Sequence, residues 1–204
     1  CVRHVWGQSS SHLFGVMALS STEECKQLTL HYGDSLKLGF GDYTVGNLLG
    51  RGSFGCVFCL TESGGDGGNG SSIAVKFFSK HLAEAAAHEV KLLHAGAGSR
   101  TVRMLHSGCI SGHAFIAMEE MLVDMYDLQA RLQTRGKAGF GLPSFCWLGR
   151  QLAAAVNALH EKNVLHGDIK PENILISHGK PYCLKLADLS NACLVHDGPV
   201  HGTR

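Results

Sequence analysis

The sequence predicts an α+β fold in two parts, a sheet-rich first half and a helix-rich second half. Up to about residue 118, short runs rich in Val, Leu and Phe alternate with Gly-containing turns, which is typical of antiparallel strands. One alanine-rich stretch among them has helical composition. After residue 123, apolar residues recur at helical spacing. We therefore expect a five-stranded antiparallel sheet with one helix, followed by an incomplete, mainly helical second lobe.

The composition limits the classes of function. Apolar residues make up 45% of the 204 residues, enough for a core, and 18 Lys+Arg balance 17 Asp+Glu. This balance gives no electrostatic reason to expect nucleic acid or a membrane surface as a partner. No run of 18 apolar residues occurs, so no membrane-spanning helix is predicted. The oligomeric state is left open.

The cysteines and histidines favour an intracellular protein with reduced thiols. Only Cys56 and Cys59 have C-x-x-C spacing, and within a strand they would point to opposite faces. We therefore expect packing cysteines rather than a metal site or disulfides. The 13 histidines are scattered without H-E-x-x-H spacing, which disfavours a dedicated metal site.

The first half carries the signals of the sheet. Residues 1–36 form an N-terminal lead of unknown role, and 37–118 form the first lobe. The strands are expected at 43–49, 55–60, 73–78, 101–110 and 114–118, with a long, flexible, Gly-rich hairpin tip at 62–72. The helix lies in "SKHLAEAAAHEVKLLHAG", where Ser79 can cap it and Gly96 ends it.

The second half carries the signals of helices. Residues 119–123 are the expected hinge, and 124–204 form the second lobe. "DMYDLQARL" predicts a short helix, and Pro143 begins a longer one that ends at His160. Short strands are expected afterwards at 164–165, 174–176 and 184–186. The apolar face of the longer helix would consist of Phe145, Leu148, Leu152, Val156 and Leu159.

The stretch "GRGSFGCV" has the form G-x-G-x-x-G-x-V, with Gly50, Gly52 and Gly55. Glycines allow backbone N–H groups to approach phosphate oxygens without obstruction by side chains. Because a strand rather than a helix follows, the motif disfavours a dinucleotide-binding fold. A plain Gly-rich hairpin remains the alternative.

"IAVKFF" places Lys76 within an apolar strand, which is unfavourable unless the amine is paired or functional. Glu89 follows in the predicted helix and could pair with it, aiming the amine at a phosphate. Glu84 competes for this role, but Glu89 shares its helix face with Leu93, which could dock inward. An edge-strand lysine and a solvated glutamate are the alternatives.

The tract "HGDIKPEN" collects polar groups between apolar residues. Asp168 could accept a proton from a hydroxyl nucleophile and orient it. Lys170 could offset charge on a transferring phosphoryl group. Asn173 offers a hard oxygen for Mg²⁺, and Asp188 in "LKLADLSNAC" offers a second. A turn with incidental polar residues is the alternative.

In this order, the motifs resemble those of eukaryotic protein kinases over roughly residues 43–204. "DIKPEN" is similar to the serine/threonine form. "ADLSNACLVH" resembles the SR-protein kinases, and "MYDL" resembles the DYRK and homeodomain-interacting kinases, all of the CMGC group. The resemblance implies an ATP- and Mg²⁺-dependent transferase that phosphorylates Ser/Thr hydroxyls of protein substrates.

The resemblance also implies the role of each site residue. Asp168 would be the catalytic base, Lys170 would contact the γ-phosphate, and Asn173 and Asp188 would bind Mg²⁺. Lys76, paired with Glu89, would hold the α- and β-phosphates. Met118 would be the gatekeeper. The nucleotide-binding set would be Leu49, Gly50, Gly52, Ser53, Gly55, Val57, Ala74, Lys76, Met118, Glu119, Met121 and Leu175.

Three departures from the family pattern carry expectations of their own. Gly167 replaces the arginine of H-R-D, which implies activity without an activation-segment phosphate. "DLS" replaces D-F-G: Leu189 can fill an apolar slot, but Ser190 removes the backbone freedom of glycine, so flipping of this loop is restricted. The sequence stops at Arg204 before any A-P-E. We therefore expect a C-terminally truncated kinase that is inactive as a fragment.

Two other classes of function remain. A pseudokinase would bind nucleotide as a scaffold without turnover, but Lys76, Asp168, Asn173 and Asp188 are all present, which favours catalysis. A small-molecule kinase of the aminoglycoside or choline type also carries "HGD" before an asparagine. Lys170, "GSFGCV" and "DLSNAC" disfavour that class.

Overall fold

The computed structural model describes residues 28–63, 70–137 and 139–195. It confirms the α+β class, with an antiparallel sheet in the first lobe. Most of the predicted N-terminal lead, the centre of the Gly-rich hairpin tip and residues 196–204 lie outside this described part. The sheet has the order β1-β2-β3-β4-β6-β5 and comprises β1 Ser35–Leu38, β2 Gly41–Gly52, β3 Gly55–Glu62, β4 Ser72–Phe78, β5 Met104–Ile110 and β6 His113–Glu119.

The sheet contains one strand more than the five expected. Strand β1 pairs antiparallel with β2, from Ser35 opposite Thr44 to Leu38 opposite Gly41. Its four residues alternate between exposed and buried, so that Leu36 and Leu38 face inward. So short a strand gives too little alternation to be recognised from sequence. The end of the predicted lead is therefore an edge of the sheet.

Apolar residues on one face of the sheet form a cluster, and contacts at its edge bring the two sides of the curled sheet together. Phe40, in the β1–β2 turn, stacks on His106 of β5 with ring centroids 4.0 Å apart, and it also contacts Phe115. Strands β1 and β5 lie at opposite edges of the sheet, so these contacts bring its two sides together. The buried residues on this face form what we call the outer cluster: Leu36, Leu38, Tyr43, Val45, Cys56, Phe58, Leu60, Ile73, Val75, Phe77, Phe115 and Ala117.

The helix of the first lobe, α1 Ala83–Ala95, starts later than expected. Ser79 makes no side-chain cap, and a 3₁₀ turn, Lys80–Leu82, comes first. The reason is local, because the N–H of Leu82 already donates to the Ser79 carbonyl at 2.9 Å and closes a tighter turn. Gly96 ends the helix as predicted, and a Cβ there would lie 2.8 Å from the Leu159 side chain.

The described part of the second lobe has two α-helices, α2 Met125–Thr134 and α3 Leu142–His160, and a 3₁₀ turn, Pro171–Asn173. The expected apolar face of α3 is confirmed for Leu159, which is buried, and for Leu148, Leu152 and Val156, which are partly buried against the same core. Phe145 departs from it, because it is 65% exposed, and Ala155 is buried in addition. The strands are β7 Val123–Asp124, β8 Val164–Leu165, β9 Ile174–Ile176, β10 Leu184–Leu186 and β11 Cys193–Leu194, in sheets β10-β9-β7 and β11-β8.

A second cluster, the interlobe core, joins the two lobes. Its first-lobe members come from β4, α1 and β6, and its second-lobe members come from α3 and strands β8 to β10. The two lobes therefore share one hydrophobic core, and part of this core lines the cleft between them. None of the described helices is long and apolar enough to cross a membrane. The large buried members of the interlobe core are Phe78, Leu92, Leu93, Ile116, Met118, Met121, Leu159, Ile174, Leu175, Ile176, Leu184, Leu186 and Leu189.

Candidate active site

A cavity of about 620 Å³ lies between the lobes and contains nearly all the residues predicted for the site. The exception is Leu49, which is 1% exposed and does not line the cavity. Two irregularities in the β2–β3 register lie just before Gly50, and they place Leu49 in the interior instead. The predicted residues that do line the cavity are Gly50, Gly52, Ser53, Gly55, Val57, Ala74, Lys76, Glu89, Met118, Glu119, Met121, Asp168, Lys170, Asn173, Leu175 and Asp188.

The Gly-rich β2–β3 turn forms the roof of the cavity. Gly55 has φ +148°, and a Cβ there would lie 1.9 Å from the Phe77 carbonyl oxygen, so only glycine fits. Around Gly52, in contrast, a Cβ would meet nothing within 4 Å. Gly55 thus serves packing against β4, whereas Gly52 leaves open space above the cavity.

Lys76 lies at the centre of the site, between two carboxylates. Its Nζ is 2.7 Å from Glu89 Oε2 and 2.9 Å from Asp188 Oδ1. The side chains of Lys76 and Glu89 are 9% and 1% exposed, so this contact is nearly dry. Glu84 is exposed on α1. As predicted, Glu89 and not Glu84 pairs with Lys76. The ring of Phe54, at the tip of the roof, lies 5.6 Å from the amine.

The protonation of this triad follows from its burial and charges. Burial lowers the pKa of Lys76, but the carboxylates of Glu89 and Asp188 outweigh it, so the pKa is raised and the amine is charged. Burial raises the pKa of Asp188, and the Lys76 ammonium together with hydrogen bonds from Lys76 and Ser190 more than reverses this, so its pKa is lowered. Burial also raises the pKa of Glu89, although the nearby ammonium opposes this. The triad therefore holds a charged Lys76 amine beside the Asp188 carboxylate, and its net charge is not positive.

His166 holds the catalytic tract against the strand that leads to Asp188. Its Nδ1 accepts from the Asp168 N–H at 3.3 Å, which leaves Nε2 to donate to the Ala187 carbonyl at 2.9 Å. The ring is 4% exposed, and burial lowers the pKa of its imidazole. One neutral tautomer thus satisfies both contacts and links Asp168 to the residue before Asp188.

The polar groups of the "HGDIKPEN" tract converge on Asp168. Lys170 Nζ donates to Asp168 Oδ2 at 2.7 Å, and this hydrogen bond raises the pKa of the lysine. The Asn173 amide donates to the Asp168 carbonyl oxygen at 2.8 Å and to Oδ2 at 3.2 Å. Because the nitrogen of Asn173 makes both contacts, its side-chain oxygen is left for another ligand.

Two of the three departures from the family pattern have structural counterparts. Gly167 has φ +76°, and a Cβ there would lie 2.3 Å from the Asn191 carbonyl oxygen. The position therefore excludes every side chain, and not only arginine. Ser190 donates to Asp188 Oδ1 at 2.7 Å without entering the left-handed region, and Leu189 is fully buried in the interlobe core.

Several residues that line the cavity were not predicted from the sequence. Asp124 is the most notable, since it is 2% exposed and its Oδ1 accepts from the Asp127 N–H as the N-cap of α2. An aspartate directly before a helical pattern is a recognisable capping signal. Phe54 lies in "GRGSFGCV" and Tyr126 in "MYDL", but these motifs do not indicate that either side chain lines the cavity. Val102, between α1 and β5, had no sequence signal.

Comparison with known families agrees with this geometry. The family model described as the protein kinase domain matches residues 43–203. The chain belongs to the protein kinase family. The match includes every residue proposed for the kinase site, and it begins within β2, after strand β1.

Known kinases of the DYRK type are among the proteins to which the chain is similar. Dual specificity tyrosine-phosphorylation-regulated kinase 3 is 28% identical in both Rattus norvegicus and Homo sapiens, over 159 residues, 74% of this chain and 26% of that protein. A serine/threonine-protein kinase of Drosophila erecta is 28% identical over 163 residues, 76% of this chain and 21% of that protein. The chain thus spans about a quarter of the length of these curated relatives. The name of the Rattus norvegicus and Homo sapiens relative agrees with the resemblance of "MYDL" to the DYRK kinases.

Proposed function

We propose that this kinase domain transfers the γ-phosphoryl group of ATP to serine or threonine hydroxyls of proteins. The observation that carries the proposal is the buried Lys76, held between Glu89 and Asp188 in a cavity that also contains Asp168. A buried triad of this kind is unfavourable for stability unless it is fully satisfied, and perturbed titratable groups in a cleft are typical of functional sites.

The apolar part of the cavity suits the base of a nucleotide, and the charged part suits its phosphates. Val57 and Ala74 of the first lobe and Leu175 of the second lobe line the cavity, and their apolar side chains would contact the two faces of a flat base. Met118 would close the back, and backbone groups of Glu119 and Met121 would bond the edge of the base. The Gly-rich turn, with Gly50, Gly52, Ser53 and Gly55, would cover the phosphates, and the Lys76 ammonium would bind the α- and β-phosphates.

The catalytic tract supplies the groups for transfer. Asp168 would accept the proton of the attacking hydroxyl and orient it, while Asn173 holds the Asp168 carboxylate in place. The bridging oxygen of ATP leaves with the electron pair of the broken P–O bond. Lys170 stays protonated, since its pKa is raised, and would offset charge on the phosphoryl group.

The family implies a Mg²⁺ ion, and the cavity contains oxygen donors of the kind that such an ion needs. The Asn173 side-chain oxygen has no described partner, and the Asp188 side chain is 35% exposed toward the cavity. No group of three or more His, Cys, Asp or Glu in the described ranges could hold an ion by itself. Two protein oxygens fit Mg²⁺, which prefers to complete its shell with water and substrate phosphates. Its chemistry would be to neutralise phosphate charge.

The deciding experiment measures transfer from labelled ATP to serine and threonine peptides, in the natural protein that contains this chain. Lys76→Met should lower the rate at least about 100-fold, as expected for loss of a preorganised charge. The matched control is Lys80→Met, which removes an exposed amine outside the cavity. Binding of ATP without any transfer would instead support a pseudokinase, and transfer only to small alcohols would support a small-molecule kinase.

A further inference from the structure

A second, apolar groove lies on the other side of the small sheet that floors the nucleotide cleft. Its volume is about 560 Å³, and its lining residues are not shared with the cleft. Strands β7 and β9 separate the two sites: Asp124 and Leu175 face the cleft, while their neighbours Val123 and Ile176 face the groove. The groove is lined by Leu122, Val123, Leu128, Phe140, Pro143, Ser144, Trp147, Leu148, Ile176 and Tyr182.

The groove is open to solvent along its length. Tyr182 is 45% exposed, and Pro143 and Ser144, in the first turn of α3, are also exposed. A contiguous apolar surface of this kind on a folded domain marks a site of interaction. An extended peptide can lie in an open groove with its backbone in water, whereas an acyl chain would need an enclosed tunnel.

Three exposed cations lie close in sequence to residues that line the groove. Arg135 follows Leu128 by two helical turns, which places both on one face of α2 and its cap. Lys137 precedes the lining residue Phe140 by three positions, and Lys180 precedes Tyr182 by two. All three cations are exposed, and none forms an ion pair within the part of the chain that the structure describes.

The acids near the groove are, in contrast, already occupied. Asp127 lies 3.9 Å from Arg131 on the same helix. Glu120 accepts a hydrogen bond from the Cys59 thiol at 3.5 Å and lies 3.9 Å from His178. The uncompensated charge at this surface is therefore positive.

We propose that the groove binds an extended segment of a partner protein, in which bulky apolar side chains are flanked by aspartate or glutamate. The apolar side chains would fill the space beside Leu128, Trp147 and Tyr182. The acidic residues would pair with Lys137 and Lys180, which fixes the direction of the segment. This goes beyond phosphoryl transfer, because the groove lies outside the nucleotide cleft and binding requires no nucleotide.

The test uses fluorescent peptides of roughly ten residues, the length that spans such a groove. The first peptide has two leucines flanked by glutamates. In the second the glutamates become lysines, and in the third the leucines become alanines. Fluorescence anisotropy with the full chain, without nucleotide, should show binding of the first peptide, and binding at least about tenfold weaker for each of the others.

Variants locate the site. Tyr182→Ala should weaken binding of the glutamate–leucine peptide about tenfold, and Lys137→Glu and Lys180→Glu should each weaken it about threefold or more. Lys37→Glu makes the same change of charge on β1, in the other lobe, and should leave binding unchanged. All four positions are exposed, so circular dichroism and thermal unfolding should match the unsubstituted chain.

Three outcomes would overturn the proposal. One is equal binding of the glutamate and lysine peptides. Another is displacement of the peptide by a single-chain fatty acid at equal concentration, which would assign the groove to a lipid. The third is a tenfold or greater gain in peptide affinity when residues 1–27 are removed, which would show that this chain's own segment fills the groove. A loss of phosphoryl transfer alone would bear on the proposed function and not on the groove.

Discussion

At the scale of single residues, Gly167 connects the catalytic tract to the segment that follows Asp188. Its φ of +76° and the approach of the Asn191 carbonyl leave no room for a side chain. On the same segment, the His88 ring contacts the Ala192 carbonyl at 3.2 Å, and Ser190 donates to Asp188. Protein groups thus hold this segment against the catalytic tract and α1. Activity without an activation-segment phosphate stays a prediction.

Gly167→Ala should therefore impair both folding and transfer. The left-handed backbone alone disfavours alanine by about 1–2 kcal/mol, and the collision with Asn191 adds to it. Gly179→Ala is the matched control, because Gly179 has φ +84° but a Cβ there meets nothing within 4 Å. Thermal unfolding and peptide phosphorylation of both variants separate the two effects. Equal losses in the two variants would show that the contact with Asn191 is unimportant.

Asp124 makes stability depend on pH. Burial, aided by the nearby carboxylates of Asp127 and Glu172, raises its pKa from 3.8 to about 6. Because the folded pKa is the higher one, the folded state binds the proton more tightly. This stabilisation is complete below about pH 4 and is lost as the pH rises through 6. Asp124→Asn keeps an N-cap acceptor but does not titrate, so its free energy of unfolding should fall less between these pH values.

Urea unfolding at a series of pH values measures this difference. Asp42→Asn serves as the control, because it makes the same change of charge on an exposed side chain of β2. A pH dependence that is identical in the Asp124→Asn variant and the unsubstituted chain would contradict the assignment.

At the scale of secondary structure elements, the lobes are tied together behind the cleft. The link between α1 and β5 runs beside β10: the Val102 N–H donates to the Leu186 carbonyl, and the Leu186 N–H donates to the Arg100 carbonyl, both at 2.9 Å. Beside this joint, Glu119 Oε1 lies 2.5 Å from Lys185 Nζ and accepts from the Arg103 N–H at 2.7 Å. The end of β6 is therefore bonded to both lobes at once.

We expect the Glu119–Lys185 pair to stabilise the closed arrangement of the lobes. The two side chains are only 20% and 15% exposed, so their coupling should exceed that of a surface pair. A double-mutant cycle with Glu119→Gln and Lys185→Met should give a coupling free energy of about 1 kcal/mol or more. The exposed pair Lys37–Asp42, at 3.9 Å, is the control and should give a value near zero. Urea unfolding measures both cycles. Equal coupling free energies in the two cycles would contradict a specific role of the Glu119–Lys185 pair.

At the scale of the whole molecule, the sequence predicts those features that depend on neighbouring residues. The five long strands, the three helices and the pairing of Lys76 with Glu89 follow from local pattern and spacing. Strand β1 and the contact of Phe40 with His106 could not be predicted, because the two rings lie 66 positions apart and meet only when the sheet curls. The burial of Leu49 depends on register irregularities between β2 and β3, which have no signature in composition.

The two hydrophobic clusters divide the molecule differently from the two lobes, and this has a measurable consequence. Leu186 belongs to the interlobe core and is 0% exposed, whereas Leu38 belongs to the outer cluster of the first lobe and is 6% exposed. Leu→Val at either position removes one methylene from a packed site and should cost about 1 kcal/mol. Leu186→Val should increase hydrogen exchange in both lobes, because the interlobe core contains residues from each. Leu38→Val should increase it mainly in β1 and β2, since its contacts stay within the sheet. Mass spectrometry of peptides from each lobe distinguishes the patterns, and an effect of Leu186→Val confined to the second lobe would show that the lobes unfold independently.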